Sequence, residues 1–298
     1  MRLARLVSCA VLAALVAGGC GSGSGPKGNP SAVRVVAAEN FWGDVVRQIG
    51  GSHVSVTSII SDPSADPHQY ESDARNAADL SDARLVVVNG LGYDDFMSKL
   101  LDATQHTGRV VLTVADALHV SGGDANPHLW YDIPRISEVA RAIESELAAV
   151  DPADKAVFAT NRTAFDASLA PLLRTLAEIK RKYPGAPVAY TERVPQYLLD
   201  AAGLTVETPP GFARAIEDGN EPSPGDAQKM YDLVTHRRIR ALLYNAQATS
   251  PVTQHVQDLA HTAGIPVVAV TETPPPAAKS YQAWQANQLG EILRALGG

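Results

Sequence analysis

Cysteine is nearly missing from this chain: Cys9 and Cys20 are the only two, both within the first twenty residues. The body that follows has no thiol for a disulfide, a thiolate ligand or a nucleophile, so any metal site there must use His, Asp and Glu. No HExxH helix, Gly-x-Ser-x-Gly elbow or phosphate-cradling loop occurs, which removes the usual sequence marks of a hydrolase or nucleotide enzyme. Positive charge is also scarce. The formal net charge is -7, and it becomes -9 once Arg2 and Arg5 leave with the first segment. Nucleic acid is thereby disfavoured as a partner, because phosphate binding needs a basic patch. Aromatics amount to 6%, too few for the stacked clamps that an organic solute or a metal chelate would want.

What long apolar sequence there is lies at the start. Arg2 and Arg5 precede a run from Leu6 to Ala17, and Gly18-Gly19-Cys20 follow. A spanning helix needs about 20 apolar residues, so this shorter run reads as a cleaved secretory signal, residues 1–19. Cys20 then stands at a lipobox-like position as the expected lipidation site, although Ala17 takes the place where leucine is more usual. Residues 20–32 are mainly Gly, Ser, Pro and Asn and cannot bury enough surface to fold, so they read as a flexible tether. The expected location is the outer face of the cytoplasmic membrane, in the cell envelope or periplasm.

Beyond the tether the pattern alternates strand and helix. Val33–Ala38, Val54–Ile60, Arg84–Asn89 and Val110–Val114 read as strands, with helices at Phe41–Ile49, Asp73–Leu80 and Phe96–Leu101 between them. Short connections of this kind indicate an α/β lobe with a mainly parallel sheet, assigned to residues 33–151. Ile133–Val150 is helical by its spacing, and the stretch from Ala153 to Tyr183 reads as one long helix, residues 152–183 as a linking unit. At 1.5 Å per residue it would reach roughly 45 Å, a strut between lobes. The theme then repeats over residues 184–298. Val188–Thr191, Leu204–Glu207, Ala241–Tyr244 and Val267–Val270 are strands, and Asp226–His236, Val252–Ala263 and Tyr281–Leu296 are helices. Ser223 before Pro224 and Asp226 is a helix start.

Two echoing tripeptides dominate the polar residues: Asp66-Pro67-His68 with Tyr70 beyond, and Asn126-Pro127-His128 with Trp130 and Tyr131 beyond. Proline fixes its own φ and keeps its predecessor out of the helical region, so each histidine leaves a pre-organised turn. Such turns are common in themselves. Two with the same chemistry, each placed after a strand where open sheets collect ligands, point to metal ligation. Two histidines leave a divalent ion short of donors, and the second half must supply the rest. Glu192 follows the strand ending at Thr191, and Glu272 follows the last strand in a mirrored position. The plainer readings are a surface pair between Glu192 and Arg193 and a solvated loop carboxylate at Glu272. His53, His106, His119, His236, His255 and His261 lack a rigid motif and read as structural or exposed.

Taken together, Ala38-Glu39-Asn40-Phe41-Trp42 with Ile49-Gly50-Gly51, Asp66 through Glu71, Asn89-Gly90-Leu91-Gly92, Asn126 through Trp130, Glu221-Pro222-Ser223-Pro224, and Tyr281 with Asn287 resemble a known family. It is that of the TroA-like, helical-backbone metal receptors of bacterial zinc and manganese ABC transporters. The resemblance implies two α/β lobes joined by one long helix, with the metal in the cleft between them. It puts the ligands at His68, His128, Glu192 and Glu272, the last in place of the family's usual Asp. It also implies a solute-binding lipoprotein that is no enzyme and acts as a monomer. Such a receptor hands its ion to a membrane permease driven by a cytosolic ATPase. The long His-rich loop of many zinc receptors is absent, since Ala115–Ala125 holds only His119.

An N₂O₂ set suits four-coordinate Zn²⁺ or higher-coordinate Mn²⁺, with Fe²⁺ behind them. Affinity order favours zinc, and carboxylate richness with the missing loop leans toward manganese or iron. The rival classes are a receptor for a chelate or small organic solute, with surface adhesion as a variant, and a metal-dependent hydrolase. The hydrolase is disfavoured because four protein ligands leave no open position for water.

Overall fold

The computed structural model describes residues 32–62, 70 and 72–297. The signal segment, the tether with Cys20, and His68 lie outside the described residues. No described helix is long and apolar enough to cross a membrane.

The first half is built from β1 (Val33–Glu39), α1 (Asn40–Gly50), β2 (Val54–Ile60), α2 (Ala74–Ser81), β3 (Leu85–Val88), α3 (Phe96–Ala103), β4 (Val110–Thr113) and the single turn α4 (Val114–Ala117), closed by α5 (Ile136–Val150). Its sheet has the order β2-β1-β3-β4, every pair parallel. β1 and β3 are almost wholly buried, as strands with helices on both faces must be. Gly50 is required where α1 turns into the next strand, because a Cβ there would sit 2.2 Å from the Val54 side chain.

The second half repeats the plan. It runs β5 (Pro187–Tyr190), α8 (Gln196–Ala201), β6 (Thr205–Val206), α9 (Pro210–Glu217), α10 (Pro224–Thr235), β7 (Leu242–Asn245), α11 (Pro251–Ala263), β8 (Val267–Val270) and α12 (Tyr281–Ala295). The strand order is β6-β5-β7-β8, again all parallel and again the same order as in the first sheet. Ser223 caps α10 by accepting the Asp226 N–H, as its sequence indicates.

The link between the halves is helical, as expected, with one interruption. It consists of α6 (Lys155–Ser168) and α7 (Ala170–Lys182), parted at Leu169. Pro171 is the cause: it lacks an N–H, and its ring opposes the carbonyl four residues earlier, so the ladder cannot run through. Leu169 keeps helical angles, φ -77° and ψ -17°, so the break is one residue wide. The second proline-led helix, α9, has no counterpart among the expected elements. Pro209-Pro210-Gly211 read as a breaker, whereas Pro210 at the first helical position is compatible with a helix start.

One apolar cluster spans both halves. It joins Val35, Val87 and Trp130 to Val188, Leu243 and Trp284, so α12, last in sequence, helps to close the core of the first strands. Tyr281 at its start donates from its hydroxyl to the Trp130 carbonyl at 2.7 Å.

Candidate metal centre

Three of the four expected ligands lie among the described residues, and all three converge. One donor atom from each of His128, Glu192 and Glu272 lies within 4.8 Å of the others, and all three side chains are buried. His128 Nε2 stands 3.6 Å from Glu272 Oε2 and 4.0 Å from Glu192 Oε1. An ion at 2.0–2.1 Å from each donor in tetrahedral geometry needs donors about 3.3 Å apart, close to this spacing. His68, the fourth expected ligand, lies outside the described residues.

Each donor is delivered by the end of a strand. Glu192 and Glu272 sit just past β5 and β8, at the carboxyl edge where open sheets gather ligands. The Arg193 alternative fails: Arg193 pairs with Glu217 through two bonds of 2.6 Å and leaves Glu192 to face inward. His128 comes from a longer connection after β4. Asn126 fixes it, because Asn126 Oδ1 accepts both the His128 N–H at 3.1 Å and the Nδ1–H at 2.6 Å. The amide is oriented by its other end, which donates to the Arg193 carbonyl at 2.9 Å. With its proton on Nδ1, the ring turns Nε2 toward the two carboxylates.

The same loop is fastened to the second half. Arg193 donates to the Asp124 carbonyl, Tyr197 to the Asn126 carbonyl, and Arg214 pairs with Asp124. Asn89, just past β3, accepts from the Trp42 indole N–H at 3.2 Å and donates to the Pro127 carbonyl at 2.9 Å. Trp130 stacks on Phe41 at 4.1 Å and meets the His128 ring edge-on at 5.2 Å. Trp130, beyond the second tripeptide, thus walls one side of the imidazole.

Two polar residues that sequence reasoning missed act on the carboxylates. Asn245, the last residue of β7, donates from Nδ2 to Glu192 Oε2 at 2.6 Å and to Glu272 Oε1 at 2.8 Å. Its Oδ1 accepts the Gln247 N–H at 3.0 Å, which sets the amide's orientation. Tyr93 donates its hydroxyl to Glu272 Oε2 at 2.9 Å. Burial, and then the negative charge of Glu272, push the Tyr93 pKa well above its usual range, so the group stays a donor. A polar residue ending an apolar strand was the available signal for Asn245. Tyr93 lies in a turn and gave none.

Glu39, the last residue of β1, is fully buried beside Asp94. Burial, followed by the like charge of Asp94, raises its pKa well above the carboxylate range. Asp94 is raised too, chiefly by burial and against the pull of the Asn89 and Gly90 N–H groups it accepts. The pair is therefore expected to hold a proton.

The other histidines stand apart from this centre. His53 pairs with Asp154 at 2.6 Å, and His255 packs edge-on to Tyr231.

The chain matches the ZnuA family model, described as zinc-uptake complex component A, periplasmic, over residues 35–295, and belongs to that family of solute-binding proteins, which are not enzymes. It is 27% identical over 231 residues to the manganese-binding lipoprotein MntA of Halalkalibacterium halodurans, covering 74% of each chain. To the manganese ABC transporter substrate-binding lipoprotein PsaA of Streptococcus pneumoniae it is 22% identical over 245 residues, 78% of each. In fold it resembles the periplasmic zinc-binding protein TroA of Treponema pallidum, with a TM-score of 0.75 at 20% identity over 90% of this chain and 100% of that one. A similar match is the Mn²⁺ complex of FpvC from Pseudomonas aeruginosa, with a TM-score of 0.74 at 22% identity over 89% and 98%.

Proposed function

We propose that this protein is the extracytoplasmic receptor of a metal-importing ABC transporter, binding one bare divalent transition-metal ion, Zn²⁺ or Mn²⁺, for delivery to a membrane permease. The observation that carries the reading is the buried convergence of His128, Glu192 and Glu272 from both halves of the chain. With His68 as the fourth ligand, the set is two imidazoles and two carboxylates. Full burial supports an ion stripped of its water over a chelate, which would need an open cleft. Cys20 would tether the receptor to the membrane by a lipid, and the chain would work as a monomer.

Elemental analysis tests this directly. Protein refolded without metal and then offered zinc, manganese and iron together should retain one ion per chain. Affinity should fall as pH drops through about 6, because ligation requires neutral imidazole. Binding that is flat down to pH 5, or that survives the joint loss of His128 and Glu192, overturns the assignment.

A further inference from the structure

The loop that carries His128 is held from two sides, and the boundary falls between Asn126 and Pro127. From Pro127 onward the first half holds it: Asn89 donates to the Pro127 carbonyl, and Trp130 stacks on Phe41. Residues 124 and 126 are held by the second half. Arg193 Nη1 donates to the Asp124 carbonyl at 3.1 Å, Tyr197 donates to the Asn126 carbonyl at 2.9 Å, and Arg214 pairs with the Asp124 carboxylate.

These contacts meet at Arg193, which directly follows Glu192 in the chain. Its carbonyl accepts from the Asn126 amide at 2.9 Å, and Asn126 in turn accepts the His128 Nδ1–H. Main chain and side chain of Arg193 thus grip one short stretch at two points, and the stretch cannot swing about either alone. The guanidinium is set by its fork onto Glu217, 2.6 Å to each oxygen, with the two side chains only 18% and 7% exposed. Such a bidentate, charge-assisted pair fixes the orientation of the guanidinium plane. Glu217 and Arg214 both belong to α9, so one helix orients Arg193 and supplies the second arginine to the loop.

A shift at residue 193 therefore moves Glu192 through the chain and the His128 imidazole through Asn126. The two donors, 4.0 Å apart, are tied to one point.

We propose that Arg193 is a positioning residue that clamps the His128 loop onto the second half, keeping His128 in register with Glu192 and slowing the escape of the bound ion. The inference rests on the metal-receptor reading above and adds to it a residue that governs how fast the ion leaves.

The test separates holding the ion from folding the chain. The protein is loaded with Zn²⁺, or with Mn²⁺ if only that ion is retained, and mixed rapidly with excess chromogenic chelator. The rate of ion loss is read for the wild type, Arg193→Met, Arg193→Lys, Asn126→Ala and the double variant Arg193→Met with Asn126→Ala. Circular dichroism and melting curves confirm folding.

Arg193→Met should speed release by about tenfold or more, the lower end of what groups orienting a ligand contribute. The association rate should stay nearly unchanged, which a general loss of structure would not produce. Arg193→Lys keeps a positive charge for Glu217 but cannot fork onto it and reach the Asp124 carbonyl together. It should also release faster, and it keeps the test open if Arg193→Met does not fold. The double variant should release no faster than Asn126→Ala alone, because both changes cut one route to His128. Release at the wild-type rate in both Arg193 variants, or effects that simply multiply in the double variant, overturns this proposal and leaves the receptor reading standing. A wild type that retains neither ion overturns both.

Discussion

The two sheets have the same strand order, and each of their inner strands β3 and β7 leads into an asparagine, yet Asn89 and Asn245 do different work. Asn89 acts on the main chain, gripping the Pro127 carbonyl and so the loop that presents His128. Asn245 acts on the side chains of Glu192 and Glu272, the two proposed ligands of its half. The difference follows from what each half brings. An imidazole carried on a long connection needs its backbone anchored. Two carboxylates just past their strands repel one another and need a shared dipole between them. A duplicated frame has thus acquired one half that solves an entropy problem and one that solves a charge problem.

The largest effect should come from the donors. His128→Ala or Glu192→Ala should each cost metal affinity about 3 kcal/mol, roughly a quarter of what a four-ligand site supplies, readable as a hundredfold or greater loss in titration calorimetry. Equal losses in both variants would mean that the two halves contribute alike to holding the ion.

Asn89→Ala and Asn126→Ala should each cost about 10- to 100-fold in affinity, the range expected of groups that orient a ligand. An Asn126→Ala variant that binds metal as tightly as the wild type would erase the contrast between an asparagine that anchors a loop and one that braces two carboxylates.

The smallest effect concerns Glu39, beneath the first sheet's carboxyl edge. A carboxylate whose folded pKa lies above its unfolded one stabilises the fold at low pH and loses that contribution as pH rises through the folded value. Glu39→Gln should therefore flatten the pH dependence of stability and raise the melting temperature at pH 8 by about 2–4 °C, the shift expected for 1 kcal/mol in a domain of 150–250 residues. At pH 4 the two proteins should melt together.

The sequence carried more of the converging side chains than of their surroundings. His128, Glu192 and Glu272 could be proposed as ligands because strand ends and a proline turn have short-range signatures, and the structure brings the three together; the alternating pattern foretold both sheets. Tyr93 and Asn245 could not be assigned to the site, since their roles exist only once residues far apart in sequence meet. Within the linking helical unit only the interruption at Leu169 escaped, because the apolar spacing continues on both sides of Pro171 and hides a local steric rule. α9 escaped because the same residue type can end a helix or begin one.

The placement of the last helix bears on how the protein is made. With Trp284 and Tyr281 sealing a core that begins at β1, a nascent chain lacking its final segment leaves that interior open on one side. The largest apolar cluster is therefore complete only once the last helix has been made, whereas the cluster around Val36 and Leu80 uses first-half residues alone.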